Sequence, residues 1–200
     1  MHATLRRLPV LLFLLPGVAL AHPSPDHALS FAAGISHPFS GLDHLLAMVA
    51  VGVLGARLSN RAVWLLPLTF LVLLSVGALI GMYRPASPFV EPAIAASIIA
   101  LGLMLVAKVP NHLFATASII GIFALAHGYA HGTEANIGGV GFVSGMLMAS
   151  AALHAAGILA VVTMRRLAHE QTEPALRMGG ALLTLIGATF LFAFPIAQRH

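Results

Sequence analysis

The chain has no cysteine. That excludes disulfide staples and thiolate metal sites, and leaves imidazole and carboxylate, with methionine as a weak extra, for any metal it handles. Charge is almost as scarce. Asp, Glu, Lys and Arg make up 8% of 200 residues, whereas a soluble domain carries roughly a quarter. With 59% apolar residues and a mean hydropathy of +0.96, the chain cannot cover itself for water, and an integral membrane protein is the class that fits. The net charge of +4 does not point to nucleic acid, because the basic residues stand scattered between apolar runs. No glycine-rich nucleotide loop is present, so an ATP-driven motor within this chain is also excluded. What the sequence does have is histidine, eleven of them.

The opening stretch "MHATLRRLPVLLFLLPGVALAHP" has a basic start at Arg6 and Arg7, an apolar core over 8–20, and a small-x-small site at Ala19-Leu20-Ala21. It reads as a secretory signal peptide over 1–21, cleaved after Ala21. A single transmembrane helical domain over 22–200 then begins outside the cytoplasm. Six apolar runs follow, over 38–57, 61–82, 89–107, 112–131, 139–164 and 176–196, each near the roughly 20 residues a span needs. The fold expected is therefore all-α, a polytopic bundle of about six transmembrane helices. Arg57, Arg61, Lys108, Arg165, Arg166 and Arg177 fall in alternate joints, with Arg84 and Arg199 on the other side. This bias places the N-terminus outside and the first group of joints in the cytoplasm. Gly77/Gly81, Gly128/Gly132 and Gly141/Gly145 are pairs four apart that let helix backbones approach closely.

Against that background the polar residues inside spans stand out. In "SHPFSGLDHLLAM" (36–48), Pro38 reads as the first helical residue of span 1. His37 then caps the helix entrance, because a residue before proline disfavours helical geometry. Gly41 leaves room for an ion or a water. Asp43 is costly in a span, on the order of 2.5–3.5 kcal/mol, and needs a cation or an imidazolium to offset it. It reads either as a ligand or as the group that orients a histidine from span 4. In "ALAHGYAHGTEA" (124–135), His127, His131 and Glu134 recur at i, i+4 and i+7, one stripe of a helix, and two imidazoles one turn apart can share an ion. Glu134 reads as a ligand, an attractor of cations or a hydrogen-bond partner of His131. At 1.5 Å per residue, His44 lies about 9 Å and His127 about 7.5 Å below the same outer edge, so two separate motifs arrive at one depth. His154, alone in span 5, lies about 23 Å from its outer end. It reads as a second station toward the cytoplasm or as an interhelical hydrogen-bonded histidine. Glu91, at the head of span 3, can join the mouth or simply favour the helix dipole. Met48, Met146 and Met148 read as filler.

"HPFSGLDHLLAM" and "HGYAHGTE" resemble the two signature motifs of the HupE/UreJ family of nickel/cobalt permeases, and the resemblance extends over essentially the whole chain. It implies a small bacterial membrane protein with about six spans, tied to hydrogenase or urease maturation and lying in the inner membrane. It maps metal-linked residues onto His37, Asp43, His44, His127, His131 and Glu134, and "ALHAAG" with His154 looks like the family's span-5 segment. Ala126 departs from the pattern, which has an aromatic residue before the histidine. Taken together, the expectation is a permease that takes up Ni²⁺ or Co²⁺ as transported substrate. It has no fixed cofactor, a divalent ion and the bilayer as partners, no nucleic acid, and no catalytic activity. The alternative is an intramembrane hydrolase in which a His/Asp cluster holds Zn²⁺ and activates water; a metal sensor or subunit without flux of its own is a third reading.

Overall fold

The computed structural model describes residues 31–107, 112–135 and 139–197, with the side chains of 134–135 and 194–197 outside that description. The expected signal peptide over 1–21 lies outside the described residues. Among the described residues there are seven helices and no strand: α1 Phe31–Ser40, α2 Leu42–Leu58, α3 Ala62–Met82, α4 Val90–Val106, α5 Leu113–Ala135, α6 Val140–Leu167 and α7 His169–Ala197. The protein is a polytopic helical bundle. α3, α5, α6 and α7 are long and apolar enough to cross a membrane, and α1 with α2 form a further crossing element if the bent pair counts as one. α4 has 17 residues, about 25 Å of helix, short of a hydrocarbon core of roughly 30 Å.

Each of the six apolar runs contains a helix; α5 runs on to Ala135, past the expected 131, and two other boundaries also differ from expectation. α2 does not begin at Pro38. Pro38 is buried inside α1 and His37 lies in the last turn of that helix. The chain breaks instead at Gly41, whose backbone is extended (φ −109°, ψ 116°), and α2 leaves at 89° to α1. The bias against helix before proline is a local preference, and here packing outweighs it. A Cβ on Gly34 would meet the Phe142 carbonyl, and one on Gly145 would meet the Phe31 carbonyl, so α1 lies backbone to backbone along the first turns of α6. The second difference is α7, which starts at His169 within a stretch expected to be a joint. Glu173 there accepts two hydrogen bonds from Arg57, at 3.0 and 3.2 Å.

Close backbone contact organises the rest of the bundle. Gly77 and Gly81 of α3 press on the backbone at Leu125 and Tyr129, while Gly128 and Gly132 of α5 press on Leu74 and Ala78. Two of the glycine pairs seen in the sequence are thus each other's partners, and they run in parallel register along α3 and α5. Glycine 102 of α4 meets Gly180 and Thr184 of α7 in the same manner, and Gly52 and Gly157 join α2 to α6 at His154 and Val49. Arginines close one end of the bundle. Arg57 donates to the last carbonyls of α4, 2.7 Å from Leu105 O and 3.2 Å from Met104 O. Arg165 donates to Ala56 O at 2.9 Å. These bonds satisfy carbonyls that a helix C-terminus leaves unpaired, and they put the C-termini of α2, α4 and α6 together. One tyrosine secures the other end, where Tyr129 donates to Pro85 O at 2.6 Å.

Because a Cβ on Gly128 would lie inside the Leu74 carbonyl, Gly128→Val is expected to separate α3 from α5 at a cost of about 3 kcal/mol, the upper end for overpacking. Thermal unfolding in detergent will read this as a melting point lowered by several degrees. Gly179→Ala, where nothing lies within 4 Å, should leave it unchanged; equal effects would contradict the packing described.

Candidate metal centre

The 89° break changes which residues meet. On a straight helix, His37 and His44 would be two turns apart, about 10.5 Å along the axis. Across the break their ring centroids are 6.4 Å apart. His127 and His131 share one stripe of α5, beside the Gly128/Gly132 stripe that fits into α3, and both are fully buried. The His44 ring sits against both, 5.2 Å from His127 and 4.5 Å from His131, and His37 stands 4.7 Å from His131. His37, His44, His127 and His131 therefore gather, and the two motifs do arrive at one level. Exposure falls along this group, from 23% for the Asp43 side chain and 14% for that of His44 to nothing for His127 and His131. Glu134 lies on the last turn of α5, with its side chain outside the described residues.

Asp43 neither reaches α5 nor stands clear of its neighbour. Its Oδ1 lies 2.9 Å from His44 Nδ1 and accepts the His44 backbone N–H at 2.9 Å. Successive Cβ atoms diverge by about 100°, yet in a first turn the short carboxylate can swing back over the helix start. Gly41 makes this possible, since a Cβ there would meet Asp43 Oδ1 at 2.7 Å and His44 Nδ1 at 2.9 Å. The room expected for an ion is filled by the carboxylate–imidazole pair.

The same arrangement recurs on two more histidines. His127 Nδ1 lies 2.9 Å from Phe123 O, and His154 Nδ1 lies 2.6 Å from Met48 O. A carbonyl or carboxylate oxygen accepts, so each ring donates from Nδ1, and in the neutral imidazole this leaves the lone pair on Nε2. The Nε2 atoms of His44, His127 and His154 are buried and have no hydrogen-bond partner. Leaving a polar atom in that condition costs about 1–3 kcal/mol. A histidine fixed by its Nδ1–H with a bare Nε2 is the usual form of an imidazole metal ligand.

His154 is closer to the others than its place in the span indicates. Its imidazole reaches the carbonyl of Met48, one turn beyond His44, because α6 extends past α2 alongside α1. Its ring contact runs to Phe70, at 5.1 Å, and Phe70 in turn lies 5.8 Å from His127. Phe142, 5.1 Å from His37, completes a continuous file of rings: Phe142, His37, His131, His44, His127, Phe70, His154. Nothing in the sequence marks the two phenylalanines, which sit in ordinary apolar runs. Among the described residues, no three His, Asp or Glu side chains already surround one point as a closed metal cage; three of the four imidazole pairs meet edge to face and His44–His131 is tilted, as packed rings. Met48 and Met146 are buried in the core, while Met148 is half exposed. Ala126 faces away from the file, lining an apolar cleft with Gly77, Val90 and Tyr129.

The sequence profile described as HupE / UreJ protein matches residues 10–190. This chain belongs to the HupE/UreJ family. It is also 39% identical over 179 residues to Protein HupE of Rhizobium leguminosarum bv. viciae, covering 88% of this chain and 92% of that one. No solved structure matches it. HupE/UreJ proteins are a transporter family associated with nickel and cobalt uptake for hydrogenase and urease, so this chain is a multi-pass membrane member of a family of transporters.

If Asp43 acts by fixing His44, Asp43→Asn should weaken Ni²⁺ binding about 10–100-fold, the usual effect of removing a partner that orients a ligand. Gly41→Ala should act in the same direction by crowding the pair. Calorimetric titration of the purified protein will decide, and unaltered affinity in both variants would refute that role.

Proposed function

We propose that this protein takes up Ni²⁺, with Co²⁺ as a second substrate, and supplies it for maturation of a metalloenzyme such as hydrogenase or urease. It would act in the bacterial inner membrane with its mature N-terminus outside the cytoplasm. The observation that carries this reading is the set of three imidazoles, on α2, α5 and α6, each tethered through Nδ1 and each with a buried Nε2 that has no partner within the protein. Imidazole suits nickel, and carboxylate broadens acceptance among divalent ions. In this scheme His37, Asp43 and Glu134 stand at the outer mouth, His131, His44 and His127 strip part of the hydration shell, and His154 receives the ion further in. A conducting site must bind well enough to admit an ion and loosely enough to release it. Imidazoles offering ligands in succession as far as His127, with His154 beyond Phe70, support that reading.

The zinc hydrolase reading fits less well. It requires three fixed ligands around one ion plus an open position, and no three His, Asp or Glu side chains stand so among the described residues. Family membership also favours transport.

Proteoliposomes loaded with a nickel-sensitive dye provide the test. Wild-type protein should admit Ni²⁺, with Co²⁺ competing and Mg²⁺ not. His44→Ala and His127→Ala should each reduce influx at least tenfold while the protein stays folded in the membrane. Undiminished influx in both variants would remove the proposed site.

A further inference from the structure

Six of the seven rings in the file are histidines or lie at its outer end. The exception is Phe70, which stands between His127 and His154. It is 1% exposed and belongs to the central apolar cluster with Met48, Leu66, Leu74 and Met146. On both sides of it are imidazoles with an unpaired Nε2. Four imidazole–imidazole contacts join His37, His44, His127 and His131, whereas the ring contact of His154 runs to Phe70, which also touches His127. A phenyl ring offers no lone pair, so an ion held by His127 cannot pass to His154 by exchanging one ligand for the next while Phe70 stays where it is. We infer that Phe70 is the hydrophobic barrier of the permeation path, separating an outer histidine site from an inner one and setting both the rate and the selectivity of passage.

Two features of α3 fit that role. The helix is fixed at its outer half, where Leu74 and Ala78 receive Gly128 and Gly132, so the Phe70 ring is held at a defined level one turn inward of the Leu74 contact. Pro67 lies inside the same helix just inward of Phe70, and a proline there removes one rung of the backbone ladder. The ring therefore sits between a clamped turn and a loosened one, where a small bend of α3 moves it relative to His127 and His154. Apolar constrictions close a pathway to hydrated ions by excluding water. An ion that imidazole coordinates strongly can shed water at the outer site and wait for the ring to move, whereas a strongly hydrated hard ion such as Mg²⁺ gains little from imidazole and stops there.

This inference rests on the transport reading, and one experiment separates the two. Ni²⁺ and Mg²⁺ influx into dye-loaded proteoliposomes is measured for wild type, Phe70→Ala, Phe70→Leu and Phe70→Trp, alongside Ni²⁺ titration of each purified protein. Phe70→Ala is expected to raise Ni²⁺ influx several-fold and to admit Mg²⁺. Phe70→Leu, which keeps the core filled should the alanine variant fail to fold, should shift both in the same direction by less. Phe70→Trp should slow Ni²⁺ influx about tenfold with outer-site binding retained. Wild-type rate and selectivity in all folded variants would overturn the barrier while leaving transport standing. Absence of Ni²⁺ influx in wild type would overturn transport and the barrier together.

Discussion

The structure depends on imidazole nitrogens held bare inside an apolar bundle. Each Nε2 of His44, His127 and His154 lacks a hydrogen-bond partner within the protein, and an unsatisfied polar atom is costly at membrane depth. The penalty, about 1–3 kcal/mol for each atom, is sustained because every ring is fixed from its other side: by Asp43, by the Phe123 carbonyl one turn back on the same helix, and by the Met48 carbonyl of a neighbouring helix. Glycine supplies the geometry. Gly41 makes room for the carboxylate, Gly52 brings α2 against α6 at His154, and Gly128 and Gly132 seat α5 against α3 so that the adjacent histidine stripe turns inward.

Much of this could be read from the chain before any coordinates. Length and spacing of the apolar runs locate most of the helices to within about four residues, since a run without charge has few other conformations open to it in a membrane; the exception is α7, which begins seven residues early at His169. The two histidine motifs stand out because polar residues in spans are costly. Counting 1.5 Å per residue from Pro38 puts His44 and His127 at one level, although the helix that carries His44 begins at Leu42 and the rings meet because of the break at Gly41. The glycine pairs of α3 and α5 were visible as a pattern, though their mutual fit was not.

What escaped the sequence is tertiary in origin. Pro38 reads locally as a helix start, but the packing of Gly34 and Gly145 carries α1 through it, and the break moves to Gly41. Asp43 binds its own neighbour rather than a histidine of α5, because a first-turn carboxylate can fold back where an added Cβ would stop it. Measured along its span alone, His154 looked remote; the offset between α6 and α2 brings it to Met48. Phe70 gives no signal at all, being one phenylalanine in an apolar helix until its neighbours are known.

The central claim is that these bare nitrogens meet the ion. X-ray absorption at the nickel edge on the purified protein loaded with one equivalent of Ni²⁺ tests this most directly. The account predicts a nitrogen/oxygen shell with the outer-shell scattering of at least two imidazole rings, diminished in His44→Ala. A shell of oxygen alone, or an imidazole signal indifferent to that substitution, would contradict it.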